Sequence, residues 1–469
     1  MNVLLVMPYM DFDNTKYLSS RDSAFPIGLG YIAAVLENAD HQVQIYDFQI
    51  SKKTIDKFKT VLSSGQFDII GFSVTTITRR NTLHLVQICK DVLPGCSIIV
   101  GGPYPTVYPK ELISQSDAID FEVVGEGEET IVELMQCIEH QKDFGRIAGI
   151  VYRSGKIPEQ TELRPLIKSL DDIPFPAFHL FELKGYTPPP GMFFKLPLRH
   201  MITSRGCPFN CIFCDDRIIW RGMCRQRSAE NIVEEMIVLK NHYGAREIHF
   251  YDDTFTVNKK RIYRFCELLR ENKTGLIWRC SSRVDTVDKD MLSEMRGAGC
   301  RSISFGIESG DDRILEKMNK GTTVAQARDA VKWTNEAGIQ AKGFFMLNFP
   351  GDTINTTEKT IALAKELELD FVGFNLTTPH HGDRLKKLVE ENYELNEKAY
   401  YDTSAKLGNE IYFYQPDLPE KYLREAYSKI AREFYLRPKY IIKMICGIRN
   451  FAMLKSYIAG FFRLFKIGV

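Results

Sequence analysis

The sequence predicts an α/β protein. A doubly wound parallel sheet is expected over residues 1–145, a linker over 146–195, a second strand–helix alternation over 196–385 and a helical carboxyl-terminal region over 386–469. Three observations support that class. Short β-rich runs alternate with helical periods. The loops that follow those runs are rich in Gly, Pro and Ser. A chain of 469 residues is too long for one ordinary domain.

Strand signals in the first region are Val3-Leu4-Leu5-Val6, Gln42–Tyr46, Ile69–Ser73, Ser97–Val100 and Phe121–Val124. Helical patterns lie between them at Gly30–Glu37, Thr82–Val92 and Glu129–Ile138. The strands run into Pro8-Tyr9, Ser73-Val74-Thr75, Gly101-Gly102-Pro103-Tyr104-Pro105 and Gly125-Glu126-Gly127-Glu128. In open parallel sheets ligands sit outside the carboxyl ends of the strands, where glycine lets backbone amides approach without a Cβ clash. Ser73, Gly101, Gly102, Pro103, Gly125, Glu126 and Gly127 are therefore candidate cofactor-binding residues, although tight turns use the same residue types. No G-x-G-x-x-G follows the first strand, which disfavours a dinucleotide.

Composition narrows the partners. With 61 Lys plus Arg against 60 Asp plus Glu, overall charge predicts no nucleic acid and no anionic surface. No apolar run reaches the roughly 18 residues of a membrane span. The opening Met1–Pro8 has no basic segment and meets a proline too early for a signal peptide. A cytoplasmic protein with reduced thiols is expected.

Of eleven cysteines, Cys89, Cys96, Cys137, Cys224, Cys266, Cys280, Cys300 and Cys446 are scattered through apolar or helical patterns and read as small buried hydrophobes. Cys207, Cys211 and Cys214 differ. They lie in Thr203-Ser204-Arg205-Gly206-Cys207-Pro208-Phe209-Asn210-Cys211-Ile212-Phe213-Cys214, just after the apolar run Leu198–Ile202. Thiolates at C-x3-C-x2-C can converge on one soft metal centre. Three arrangements satisfy the spacing: a structural zinc site completed by Cys224, an electron-carrying cluster, or a [4Fe–4S] cluster with one iron left without a protein ligand.

The aromatic Phe213 directly before the last cysteine makes this segment resemble the radical SAM superfamily, whose signature is Cys-x3-Cys-x-aromatic-Cys. The resemblance implies that Cys207, Cys211 and Cys214 are the metal ligands, holding three irons. S-adenosyl-L-methionine then chelates the fourth and is cleaved to a 5′-deoxyadenosyl radical that takes hydrogen from unreactive carbon. It also implies a partial (β/α)6 barrel with its site at the carboxyl ends of the strands. Ser228 caps the helix starting at Ala229. Glu247-Ile248-His249-Phe250-Tyr251-Asp252-Asp253 ends in carboxylates, and Asp252 and Asp253 become candidates for the cofactor amino group, one of them equally able to cap a helix. Arg283, in Trp278-Arg279-Cys280-Ser281-Ser282-Arg283-Val284-Asp285, is a candidate for its carboxylate or for an ion pair with Asp285. Glu308 and Ser309, in Ser302–Gly310, are candidates for its ribose and methionine parts. In Lys342–Asp352, Asn348 replaces the first glycine usual before Pro350-Gly351. Phe371–Leu376 supplies a sixth strand.

An open-sheet domain before such a barrel resembles the cobalamin-binding branch of that superfamily, with a Rossmann-like amino-terminal domain. Phe25–Tyr31, Val100–Pro105, Val124–Thr130 and Leu170–Ala177 carry the likeness. The Asp-x-His-x-x-Gly that supplies a cobalt-ligating histidine is missing: the stretch reads Pro8-Tyr9-Met10-Asp11-Phe12-Asp13. Either cobalamin binds without a protein imidazole, or the domain has lost it. The resemblance implies three cofactors: a [4Fe–4S] cluster, S-adenosyl-L-methionine and cobalamin. It implies a reductase partner such as flavodoxin or ferredoxin, and methylation of an unactivated carbon in a small-molecule, lipid or peptide substrate. A radical rearrangement or oxidative cyclisation without methyl transfer is the alternative, and a sensor with a structural cluster a third. From Lys421 to Val469 eleven basic residues face two acidic ones, and Phe451, Leu454, Ile458, Phe461, Phe462 and Phe465 share a helical stripe. This region reads as a helix capping the barrel or as a peripheral membrane contact.

Overall fold

A computed structural model describes residues 1–10, 25–50, 53–155, 157–186, 188, 193–379, 384–396, 399, 410–438 and 440–442. The chain divides into two units, Met1–Pro188 and, apart from two short segments, Pro189–Val469.

The first unit contains β1 (Asn2–Met7), α1 (Ile27–Asn38), β2 (Gln42–Asp47), α2 (Ile55–Ser64), β3 (Ile69–Ser73) and α3 (Arg79–Val92). It continues with β4 (Ser97–Gly101), α4 (Pro103–Val107), α5 (Glu111–Gln115), β5 (Phe121–Val123), α6 (Gly127–His140), β6 (Ile150–Ser154) and β7 (Ile157–Gln160). The sheet order is β2-β1-β3-β4-β5-β6-β7, with β1 to β5 parallel. Winding reverses between β1 and β3, which sends α1 and α6 to one face and α2 and α3 to the other. Leu4, Val6, Ile70, Phe72, Ile98 and Val100 bury one face against Phe58, Leu62, Leu85 and Val86, consistent with strands covered on both sides. Residues 146–195, expected as a linker, instead carry β6 and β7, which extend this sheet antiparallel. Pro158 fits because β7 is an edge.

The second unit contains β8 (Leu198–Met201), a small β9 (Ser204–Arg205) and β10 (Arg225–Gln226) pair around α7 (Asp216–Trp220), then α8 (Ala229–Tyr243), β11 (Glu247–Phe250), α9 (Lys259–Glu271) and β12 (Ile277–Ser282). Next come α10 (Lys289–Gly297), β13 (Cys300–Glu308), α11 (Asp312–Lys317), α12 (Val324–Glu336), β14 (Gln340–Leu347), α13 (Ile354–Glu366) and β15 (Phe371–Leu376). α14 (Arg384–Asn392), β16 (Glu394–Leu395), β17 (Phe413–Tyr414) and a last helix α15 (Glu420–Tyr435) complete it. Six strands stand in sequential order, β8-β11-β12-β13-β14-β15, all parallel. Crossovers that all advance one way put the helices on one face, and the other is the inner face of an incomplete barrel. Side chains alternate accordingly: Phe250, Trp278, Cys280 and Phe305 are buried, whereas His249, Ser281, Ser304 and Phe344 are half-buried on the inner side.

The described part of the basic carboxyl-terminal region lies against the barrel's edge strand. Tyr435 on α15 hydrogen-bonds both the carbonyl and the amide of Val372 in β15, and the Tyr440 hydroxyl donates to Asp370 O at 2.8 Å. The stripe from Phe451 to Phe465 lies outside the described residues. Among those residues no helix is long and apolar enough to cross a membrane.

Candidate active site

The three clustered cysteines occupy the loop between β8 and α7, at the carboxyl end of the second sheet. Gly206, with φ +87°, makes the turn into Cys207. The Cys207 amide donates to Asp216 Oδ2 at 2.7 Å, and its Sγ lies 3.6 Å from Thr254 Oγ1. The amide of Ile212 donates to Met318 O and its carbonyl accepts from the amide of Leu385, so the loop is stitched to the far side of the barrel. Asn319 Nδ2 donates to Asn210 O at 2.7 Å.

Cations gather beside the central thiol. Arg283 Nη1 is 3.7 Å from Cys211 Sγ, its guanidinium lies 3.6 Å over the Phe209 ring, and its Nε and Nη2 each reach Asp285 at 2.9 Å. Of the two uses foreseen for Arg283, the ion pair with Asp285 is the one present. Nη2 also donates to Lys320 O at 2.6 Å, and Lys320 Nζ holds Glu308 Oε1 at 2.9 Å and stands 5.8 Å from the Phe213 ring centre. Burial pushes the Cys211 thiol up, while Lys320 and Arg283 oppose it; burial pushes Cys214 up to about 12. Thiolates are the metal-binding form, so iron must displace these protons, and the two cations favour that charge. Among the described residues no three His, Cys, Asp or Glu side chains are close enough to share one metal ion. The two cations beside Cys211 suit an anionic, thiolate-held cluster.

The remaining candidates separate into different roles. Asp252 is buried as a bracket: it accepts from the Thr203 amide at 2.6 Å, the Thr203 hydroxyl and the Ser204 hydroxyl at 2.7 Å, with Arg261 at 3.8 Å. Asp253 instead pairs with Asp216 beside the cysteine loop, and burial raises both carboxyls. Glu308, with φ +66° at a β-bulge, faces Lys320. Ser309 is drawn into a turn with Thr360, 3.3 Å between hydroxyls. Asn348 stands where glycine was expected and adopts φ +64°, a conformation asparagine tolerates. Its amide accepts from Gln415 at 2.9 Å and donates to Phe413 O. Lys320, Thr254 and Asp216 escaped the sequence reading because each reaches the thiols through a loop that no periodicity marks.

In the first unit three loops are tied into one edge. The Val74 amide donates to Gly101 O at 2.8 Å and the Tyr104 amide to Val74 O at 3.0 Å. Thr106 Oγ1 donates to Gly102 O at 2.8 Å and accepts from the Gly125 amide at 3.0 Å. Gly102 has φ +101°, and a Cβ there would stand 3.1 Å from Val74 O and 3.3 Å from Ser73 Oγ. Such a glycine-bearing edge at the carboxyl ends of β3, β4 and β5, with Pro103 at the start of α4, suits a large flat cofactor. Two neighbours serve packing instead. Glu126 accepts from the Ile167 amide at 2.8 Å, and a Cβ at Gly127 would meet Ile32 of α1 at 2.9 Å. Residues 11–13, where a cobalt-ligating histidine is missing, lie outside the described residues.

Residues 201–364 match the radical SAM superfamily model, and residues 18–135 match the B12 binding domain model. A protein of Pyrococcus horikoshii named as an uncharacterized methyltransferase is 33% identical over 469 residues, 99% of each chain. The anaerobic magnesium-protoporphyrin IX monomethyl ester cyclase of Cereibacter sphaeroides is 26% identical, over 80% of this chain and 62% of its own. The cobalamin-dependent S-adenosylmethionine radical enzyme OxsB, solved with aqua-cobalamin and S-adenosylmethionine, superposes with a TM-score of 0.75 at 17% identity, covering 97% of this chain and 70% of that one.

Proposed function

This chain belongs to the cobalamin-binding radical SAM family, and from that premise we propose that it methylates an unactivated carbon of a small-molecule, lipid or peptide substrate, with a flavodoxin or ferredoxin as reductant. Cys207, Cys211 and Cys214 would hold the [4Fe–4S] cluster. The Asp253, Glu308 and Arg283 surroundings would hold S-adenosylmethionine, and Ser73, Gly101, Gly102 and Gly125 would hold cobalamin. Together these groups supply a carbon-centred radical and a methyl carrier when bound. The chain's own contribution is positional. Arg283 fixes Asp285, the Lys320 backbone and Cys211 in one fork, and Lys320 in turn holds Glu308. Cations at the thiols favour their negatively charged, metal-binding form.

The observation that carries the reading is the presence in one chain of this cation-braced thiol loop and of an upstream sheet whose carboxyl edge carries Gly101, Gly102 and Gly125. Turnover of the anaerobically reconstituted protein with methyl-labelled S-adenosylmethionine tests it. Label in the product together with 5′-deoxyadenosine supports methyl transfer. 5′-Deoxyadenosine with unlabelled product supports an oxidative cyclisation, which the likeness to the cyclase favours as the second reading. Absence of 5′-deoxyadenosine overturns both.

A further inference from the structure

The inner face of the second sheet carries polar groups that the thiol chemistry leaves unused. Arg279 sits mid-strand in β12, between Trp278 and Cys280 on the helix-facing side. It is only 5% exposed, yet its Nε has no hydrogen-bond partner among the described residues, and the nearest carboxylate oxygen, Glu247 Oε1, is 3.6 Å away. Glu247 is pinned, because its Oε2 accepts the amides of Phe194 and Lys195 at 2.6 and 2.7 Å. Opposite Arg279 in the next strand stands Ser302, 1% exposed with its hydroxyl also unpartnered.

On β8 and β11, level with Arg279 and just beyond it, rings wall the same face. Tyr251 stacks on His200 at 4.5 Å and meets His249 edge-on at 4.7 Å. Burial, with Arg279 adding to it, holds both imidazoles low, His200 at about 3 and His249 at about 2. Tyr251 is 37% exposed, so the column opens on that side. Arg279 is thus ion-paired with Glu247, but its Nε and the Ser302 hydroxyl are left without a hydrogen bond, and a buried polar group in that state is costly unless a ligand satisfies it. The thiol loop lies further along the strand. Arg283, beside Cys211, lies four residues further along the same face, roughly 13 Å away at the rise of a strand.

We infer that Arg279 and Ser302, beside the His200, His249 and Tyr251 wall, form a subsite for an anionic group, carboxylate or phosphoryl, of the substrate. This rests on reading the inner face as the substrate side of a radical SAM barrel. Calorimetric titration of the reconstituted full chain with benzoate, phenylphosphonate and neutral benzamide tests it. At least one anion should bind about tenfold tighter than benzamide, the equivalent of one charge-assisted hydrogen bond, and the tighter of the two identifies the acid class. Arg279→Gln should erase that preference and Arg279→Lys should retain part of it. Should Arg279→Gln lose its cluster, the Arg279→Gln/Glu247→Gln double substitution leaves no unpaired charge and must also erase the preference. Equal affinity for benzamide and the anions, no binding of any probe, or an anion preference surviving in the Gln variants overturns the subsite. Failure of methyl transfer would leave these affinities unchanged, so the two readings fail separately.

Discussion

Both units are built on parallel strands, yet they offer ligands different surfaces, and winding direction is the cause. In the first sheet the order reverses between β1 and β3, helices cover both faces, and only the carboxyl edge remains. That edge is made of backbone and small residues. In the second sheet the order never reverses, one face stays free of helices, and charged side chains occupy mid-strand positions on it, among them Glu247, Arg279 and Lys342. The same local β-rich signal thus yields a backbone cradle in one unit and a side-chain-lined interior in the other.

The largest expected effect separates the units. Cys211→Ala should abolish the visible iron–sulfur absorbance and all 5′-deoxyadenosine formation while cobalamin titration of the same protein stays unchanged. Loss of cobalamin binding as well would dissolve the distinction. Arg283→Met comes next. It removes a buried guanidinium from Asp285 and Cys211, and leaving one partner of a buried pair should lower the stability of the second unit by about 3 kcal/mol, read in denaturant as a shift of one transition with the other fixed.

Gly102→Ala tests the cradle. Its φ +101° and ψ −165° belong to a region open essentially to glycine, and alanine there costs about 1–3 kcal/mol. Cobalamin affinity should fall while iron content holds. The smallest effect is the pH dependence that Asp47 gives the first unit. Burial raises Asp47 from 3.8 to about 6 despite its hydrogen bond from Tyr186 at 2.6 Å. A carboxyl whose folded pKa lies above its unfolded value stabilises below the unfolded pKa, and that contribution is lost as pH rises through the folded one. The first unit should therefore gain roughly 1–2 kcal/mol between pH 6 and pH 4, and Asp47→Asn should flatten the gain.

Strands of both sheets were legible because β-branched runs ending in Gly, Pro or Ser survive any tertiary context. α2 was not foreseen, although Thr54 caps it and Phe58 and Leu62 supply an i, i+4 pair. β6 and β7 lie in the stretch expected as a linker. At the thiols, spacing alone marked the three cysteines, and the Arg283–Asp285 ion pair was legible from their closeness in sequence. Asp252 and Asp253 could not be told apart by sequence, because which carboxylate turns toward Thr203 depends on strand pleat. Lys320 and Arg279 were silent. One sits in an unremarkable loop, and the other is a charge inside a strand pattern whose inward face only topology reveals.

Tyr435 clasping Val372 has a consequence for biogenesis. An uncovered edge strand is a template for foreign chains, and the residue that shields β15 lies about sixty positions further along a chain synthesised from its amino end. Throughout that interval the nascent barrel must wait, sticky on one flank, for its own tail to emerge from the ribosome. Truncation before α15 would make that vulnerable interval permanent.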